Sequence, residues 1–426
     1  MKRRTSQALV MIAMLMISAA AGIATYRYFA TTPQSGVTVG LLVTVHNSKG
    51  QLINNDTRYM PHDLILNTFN EWLINLIAVG DGISTISQPI TYMGDLSSYA
   101  TSCAGTSCDW VNDCISPYYC GLSFAIGTGT VSPARTDTSL TTGYTPTSGS
   151  LYFPDTATNS AVCDTTTSIT VTCNGAIVNT GASDTITGMS GSQSITSTAT
   201  ITEAGAFITG VSQNNRATTM IFHDTFTGIP VVSGDTVTVS YTLNLPSGIT
   251  TNLANIIAAY LAGNLAGYAN SNGPQSGTGE TQVSISLTST TDVVNTFYSW
   301  SNSNGGTTGG TYYPTNQNTA SATNIGYMGI GTGTTAYTPS DIKMGTQIGS
   351  LNEFTSIAYT STTASAVQYV TSTFTESTSN TITEAAGFQQ MTQGGTSLDY
   401  MLFGTTFTSQ TETAGTPYGI SMNIGD

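Results

Sequence analysis

A chain of 426 residues with 39% apolar content is long enough to bury more than one core, yet only 8% of it is charged. The formal net charge is −14, and after Arg27 only five bases remain against all 23 acids, which argues against DNA or RNA as a partner. Thr, Ser, Asn and Gly take the surface role of Lys and Glu, and the many Tyr, Ile and Val predict packed β structure over disorder.

Lys2-Arg3-Arg4 precede an uncharged run from Thr5 to Tyr26, long enough to cross a bilayer. Residues 1–30 read as a signal cut near Ala19-Ala20-Ala21 or Ala24, as an uncleaved membrane anchor, or as a filament-core helix. Each reading places residues 35–426 outside the cell and brings the chain to a membrane at least before processing. A hinge is expected at 32–36 and a strand over 37–46. Asn47-Ser48-Lys49-Gly50 then reads as a turn. Asn55-Asp56-Thr57 is a glycosylation sequon, which makes Asn55 a candidate acceptor. Apolar residues from Leu64 to Ile77 recur at helical spacing, ahead of an insertion at about 80–120 rich in Ser, Asp and Cys.

Cys103, Cys108, Cys114 and Cys120 cluster in that insertion, and Cys163 and Cys173 follow. The spacing is looser than a CxxC zinc site, and an even count in an exported chain points to disulfides, with the pairing open. Cys163 and Cys173 flank a strand-like stretch at 168–172. Further strands are expected at 197–201, 218–226 and 236–245. In the last, Val237, Val239, Tyr241 and Leu243 alternate with polar residues. A second helix is expected at 253–261, inside a linker at 247–280.

Landmarks then return. Ile126-Gly127-Thr128-Gly129-Thr130, with Asp137 after it, matches Ile330-Gly331-Thr332-Gly333-Thr334 with Asp341. Ile201-Thr202-Glu203-Ala204 with Phe207 matches Ile382-Thr383-Glu384-Ala385 with Phe388. Met220, Phe222 and Phe226 match Met401, Phe403 and Phe407. Asn67-Thr68-Phe69 with Trp72 also matches Asn295-Thr296-Phe297 with Trp300, which predicts a short second-copy helix at 293–300. The expected architecture is mainly β: two tandem sandwich-like domains from an internal repeat, 35–246 and 281–426, each with one short helix, behind an N-terminal hydrophobic helix.

The shared order of strand, helix, Gly-Thr-Gly-Thr, acid, Ile-Thr-Glu-Ala and aromatic strand resembles a β-rich domain of tailed-virus fibre-like virion proteins. That resemblance implies a structural role in assembly or attachment and supplies no catalytic residues. The basic, then Met-, Ile- and Ala-rich N-terminus resembles archaeal pilin-type leaders, in which the helix builds the filament core.

Chemistry finds little purchase. Gly331-Thr-Gly333-Thr-Thr-Ala336 fits a dinucleotide fingerprint loosely, but no helix pattern follows, so a turn needing glycine at positive φ is the expectation. His46, His62 and His223 are the only histidines, and no hydrolase or zincin motif contains them. The retained carboxylates Asp137 with Glu203, and Asp341 with Glu384, are candidate Ca²⁺ ligands if they converge. Otherwise they cap backbone N–H groups. No other cofactor and no enzymatic activity is expected. The expectation for function is a self-assembling homopolymer, a cell-surface filament or surface layer. It would form through the N-terminal helix, side-by-side packing, or donation of the 37–46 strand to a neighbour. The alternatives are a virion attachment protein and a sugar-binding adhesin.

Overall fold

The computed structural model describes residues 38–60, 65–70, 73, 121–144, 169–172, 176–179, 184–212, 215–245, 248–262, 284–298, 325–354, 356–361, 366–393, 396–415 and 417–423. The N-terminal segment, the 80–120 insertion, all six cysteines, Trp72 and Trp300 lie outside those residues. Among the described residues no helix is long and apolar enough to cross a membrane. Residues from Gly36 onward form one compact unit.

The fold is mainly β, as the composition predicts. In chain order the strands are β1 (Thr38–His46), β2 (Leu52–Met60), β3 (Gly121–Gly127), β4 (Ile169–Thr172), β5 (Ala176–Asn179), β6 (Asp184–Ser194), β7 (Ala199–Ser212), β8 (Asn215–Val231) and β9 (Thr236–Asn244). Helix α1 (Thr251–Ala262) follows, then β10 (Ser284–Thr288) and β11 (Val294–Tyr298). The second half continues with β12 (Ile325–Gly331), β13 (Gln347–Glu353), β14 (Ser356–Ser361), β15 (Ala366–Phe374), β16 (Asn380–Gln393), β17 (Thr396–Glu412) and β18 (Tyr418–Asn423).

One sheet runs β2-β1-β9-β6-β4, with β5 also on β6, and another runs β3-β7-β8. The turn after β1 forms as expected: the Asn47 carboxamide oxygen accepts the Lys49 and Gln51 N–H groups at 2.9 and 3.0 Å. Gly50 supplies the positive φ of 74°. The alternation in β9 is real, with Val237, Val239, Tyr241 and Leu243 buried and their neighbours half-exposed. β1 is an inner strand, hydrogen-bonded to β2 on one side and β9 on the other. In the single chain both edges of β1 are thus taken, so donating it to a neighbour requires exchanging both ladders.

The second half repeats this plan in sheets β13-β12-β16-β17 and β14-β15-β18. Hairpins β7–β8 and β16–β17 have strands of 14 and 17 residues each. Both shift register at the same two places, at Ile201/Glu203 and Ile382/Glu384, then at Ala206/Phe207 and Gly387/Phe388. Phe207 sits opposite Met220, and Phe388 opposite Met401.

One expected correspondence fails. Residues 293–300 hold no described helix, because Val294–Tyr298 is strand β11, paired with β10 after a turn in which Asp292 has φ 64°. Val294, Thr296, Phe297 and Tyr298 are β-branched or aromatic and suit a pleated surface. In the first half the helix is seen at 67–70 and 73. Its counterpart is α1, at the position expected for the second helix. Ile65 bridges to Phe222 and the Leu66 N–H donates to Ile221; likewise Ile249 bridges to Phe403 and the Thr250 N–H donates to Leu402. The chain therefore passes from β9 into α1 as it passes from β2 into the first helix. β9, already the inner neighbour of β1, stands where the second half would have its own leading hairpin.

One apolar cluster runs through both halves and includes Phe69, Phe124, Tyr241, Leu253, Ile257, Phe374 and Tyr400. Smaller twin clusters lie beside it: Leu140, Phe207 and Met220 in the first half, and Met344, Phe388 and Met401 in the second.

Candidate functional site

Of the retained acids, Glu203 and Glu384 are buried, and Asp137 and Asp341 are partly exposed. Thr202 and Thr383 occupy the register shift in β7 and β16, and a bulge of this kind re-aims the side chains beside it. Each threonine hydroxyl donates to a carbonyl of the Gly-Thr-Gly loop: Thr202 to Gly129 at 2.6 Å, Thr383 to Gly333 at 2.8 Å. The next residue, Glu203 or Glu384, is fully buried. Glu203 Oε1 accepts the Gly129 and Thr142 N–H groups at 2.9 and 2.7 Å, and Oε2 accepts Thr141 at 3.0 Å. Glu384 repeats this with Gly333, Thr346 and Gly345 at 2.9, 2.7 and 3.1 Å. One carboxylate thus fastens two loops to a strand.

This corrects the role expected of the glycines. Gly127, Gly129, Gly331 and Gly333 are not at positive φ. A Cβ on Gly129 would lie 2.4 Å from Glu203 Oε1, and one on Gly331 2.3 Å from Glu384 Oε1. Glycine stands there because the carboxylate packs directly on the backbone.

The fourth donor differs between halves. In the first, His223 Nε2 lies 3.2 Å from Glu203 Oε2 and Nδ1 lies 2.7 Å from Asp137 Oδ2. In the second, Gly404 replaces His223, and the Tyr337 hydroxyl donates to Glu384 Oε2 at 2.8 Å. A Cβ at 404 would meet the Tyr337 ring at 2.9 Å, so the small residue and the tyrosine come as a pair. Asp137 and Asp341 each accept an N–H from three residues earlier, Ala134 at 2.8 Å and Thr338 at 2.7 Å.

Burial alone pulls the His223 imidazolium down, but its hydrogen bonds to Glu203 and Asp137, with their charges, outweigh it and raise its pKa above 6.5. Burial alone pushes the Glu203 carboxyl up. The His223 bond and the N–H donors of Thr142, Thr141 and Gly129 reverse that and hold it below 4.5. Burial and the Glu384 bond keep the Tyr337 phenol protonated.

The arrangement is suited to holding loops. Asp137 and Glu203 lie on opposite ring nitrogens of His223, so they do not face one common point. The oxygens of Glu203 and Glu384 are occupied by four donors each, which leaves little for a cation. Among the described residues no group of three or more His, Cys, Asp or Glu is placed to hold a metal. The partners His223 and Tyr337 went unread in the sequence as loop clamps. The signal was there in the exchange of His223 for Gly404 and of Pro133 for Tyr337, at matching positions in the two copies. Asn55, the sequon residue, is exposed on β2.

Comparison with family models, with curated proteins and with solved structures yields no match.

Proposed function

We propose that this chain is an extracellular structural protein, the self-assembling subunit of a cell-surface filament or surface layer, built from two tandem sandwich-like β halves behind an N-terminal hydrophobic helix. The observation that carries this reading is the duplicated clamp. The glutamates retained in both copies are buried, and all four retained acids accept backbone N–H groups, so what the two copies share is architecture. The basic then apolar N-terminus supports export, and the acidic, Thr- and Ser-rich remainder suits an outer surface.

Electron microscopy of cells producing the chain, with labelling against residues 36–426, tests the reading. Labelled threads or a labelled coat are expected. Label confined to virus particles would move the assignment to a virion attachment protein, and label only in soluble monomer would reject assembly. Mass spectrometry of the mature N-terminus adds the route. A start near Gln7 supports a filament-core helix, one near Ala21 a secreted subunit, and an intact Met1 an anchor.

A further inference from the structure

His223 stands between two carboxylates, with Nδ1 at 2.7 Å from Asp137 and Nε2 at 3.2 Å from Glu203. An ionised carboxylate only accepts, so both contacts are hydrogen bonds only when both ring nitrogens carry a proton. The geometry therefore calls for the imidazolium, and the raised pKa of the ring agrees. Asp137, from the loop after β3, and Glu203, from β7, are the charges that act on it. Asp224, next to His223 on β8, alternates to the opposite face, where it acts on the Tyr241 phenol. Arg135 shares the loop with Asp137.

The two carboxylates are not equally bound. Glu203 is fully buried and accepts three backbone N–H groups besides the ring. The Asp137 side chain is 27% exposed and accepts one, from Ala134. A neutral imidazole keeps a single N–H and turns a lone pair toward the other carboxylate. Water can replace the ring at Asp137 but does not reach Glu203. The remaining proton therefore belongs on Nε2, and the contact that opens is the one to Asp137.

What Asp137 holds is a turn with a second attachment. The Ala134 N–H to the Asp137 carboxylate, and the Asp137 N–H to the Ala134 carbonyl at 2.9 Å, close residues 134–137. Within that turn the Arg135 carbonyl accepts the N–H of Asn67, the first residue of the first helix, at 2.8 Å. The second half builds the same turn. Thr338 and Asp341 close it, and the Pro339 carbonyl accepts the Thr251 N–H at the start of α1 at 2.7 Å. There Gly404 stands in the place of His223, so turn and helix attachment form without an imidazole. The bond from His223 to Asp137 is thus an addition to a turn that closes without it.

We propose that His223 is a proton-operated latch. As the imidazolium it docks the 134–137 turn, and the helix start attached to it, onto β8. When the Nδ1 proton leaves to solvent, Asp137 swings out to water and the Nε2–H bond to Glu203 stays. The turn is then held by its own bonds and the helix attachment. The second half has the same turn and no latch.

The test titrates the full-length chain, labelled with nitrogen-15 in histidine, by nuclear magnetic resonance from about pH 5 to about pH 9. His223→Gln marks which signals belong to His223. Both ring nitrogens are expected to be protonated at the acid end, and Nε2 alone at the alkaline end. Over the same interval amide exchange at Asn67, Ala134 and Asp137 is expected to rise roughly tenfold beyond the intrinsic pH effect, as for one lost hydrogen bond, and by more than at Gly129, Thr141 and Thr142. Thr251, Thr338 and Asp341 should show the intrinsic effect alone. Asp137→Asn should abolish the extra exchange while circular dichroism keeps the β spectrum. A carboxamide accepts from Nδ1–H and donates to bare Nδ1 alike. A proton left on Nδ1 at the alkaline end, ring nitrogens unchanged across the interval, or no extra exchange at 134–137 in the wild-type chain overturns the latch, with no variant needed. Extra exchange that survives in folded Asp137→Asn overturns it too.

Discussion

Glu203 and Glu384 each satisfy backbone donors from two separate loops with one side chain, so their loss is not a local event. Glu384→Ala takes the acceptor from three part-buried backbone N–H groups and from the buried Tyr337 hydroxyl. The expected cost is about 3–5 kcal/mol, read as a lowered midpoint in urea unfolding. The fourth donor sets a pH difference between the halves. His223 has a pKa above 6.5 in the fold, so its contribution is full below 6.5 and is lost as pH rises through the raised value. Glu203 has a pKa below 4.5, so its contribution is present above 4.5 and is lost as pH falls through the lowered value. The first clamp is therefore tightest between 4.5 and 6.5. Hydrogen exchange at 128–142 should accelerate on the alkaline side beyond the intrinsic pH effect, while 332–346 should not. Transplanting the second half's pair, as His223→Gly with Pro133→Tyr, should remove that alkaline loosening.

At the scale of elements, α1 decides how the halves can be divided. Its Leu253, Ala254, Ile256 and Ile257 are buried, and it packs on β3, β5 and β6 of one half and on β10 and β17 of the other. Asn252 ties it further, exchanging hydrogen bonds with the Thr288 backbone at 2.8 and 2.9 Å. A fragment of residues 281–426 lacks this helix and exposes the core around Phe403. It is expected to show no cooperative melt by calorimetry, whereas 248–426 keeps α1 and should melt. Strand alternation, the Asn47 turn and the Glu-to-Phe spacing were legible in the sequence because each depends on near neighbours. The 251–262 helix was legible as a helix but not as the partner of the one seen at 67–70 and 73. Leu253 and Ile257 stand where Phe69 and Leu73 stand, and the two stretches share topology without sharing letters. The Asn-Thr-Phe match led elsewhere because three residues do not specify helix against strand when Val294 and Tyr298 flank them. The clamp was half legible: the acids and glycines recur, but His223 and Tyr337 approach from different strands and loops, which only the packed fold brings to one carboxylate.

Across the described residues the two halves share the paired hairpins β7–β8 and β16–β17 with matching register shifts, and β9 leads directly into α1. The same arrangement governs how the chain would carry tension. Residue Thr38, where the first half begins, lies directly opposite Asn244, where it ends, and the Asn244 carboxamide donates to the Thr38 hydroxyl at 3.3 Å. A pull on the two termini therefore separates β1 from β9 at one end of their ladder and breaks its bonds one after another, as a zip opens. Stretched between beads in an optical trap, the first half should give way at low force. It should release a step of about 700 Å, taking 3.3–3.6 Å for each residue from 38 to 244, and bridges among Cys103 to Cys173 would shorten that step. In a thread exposed to flow, such a half is a yielding link that lengthens before the rest of the chain gives way.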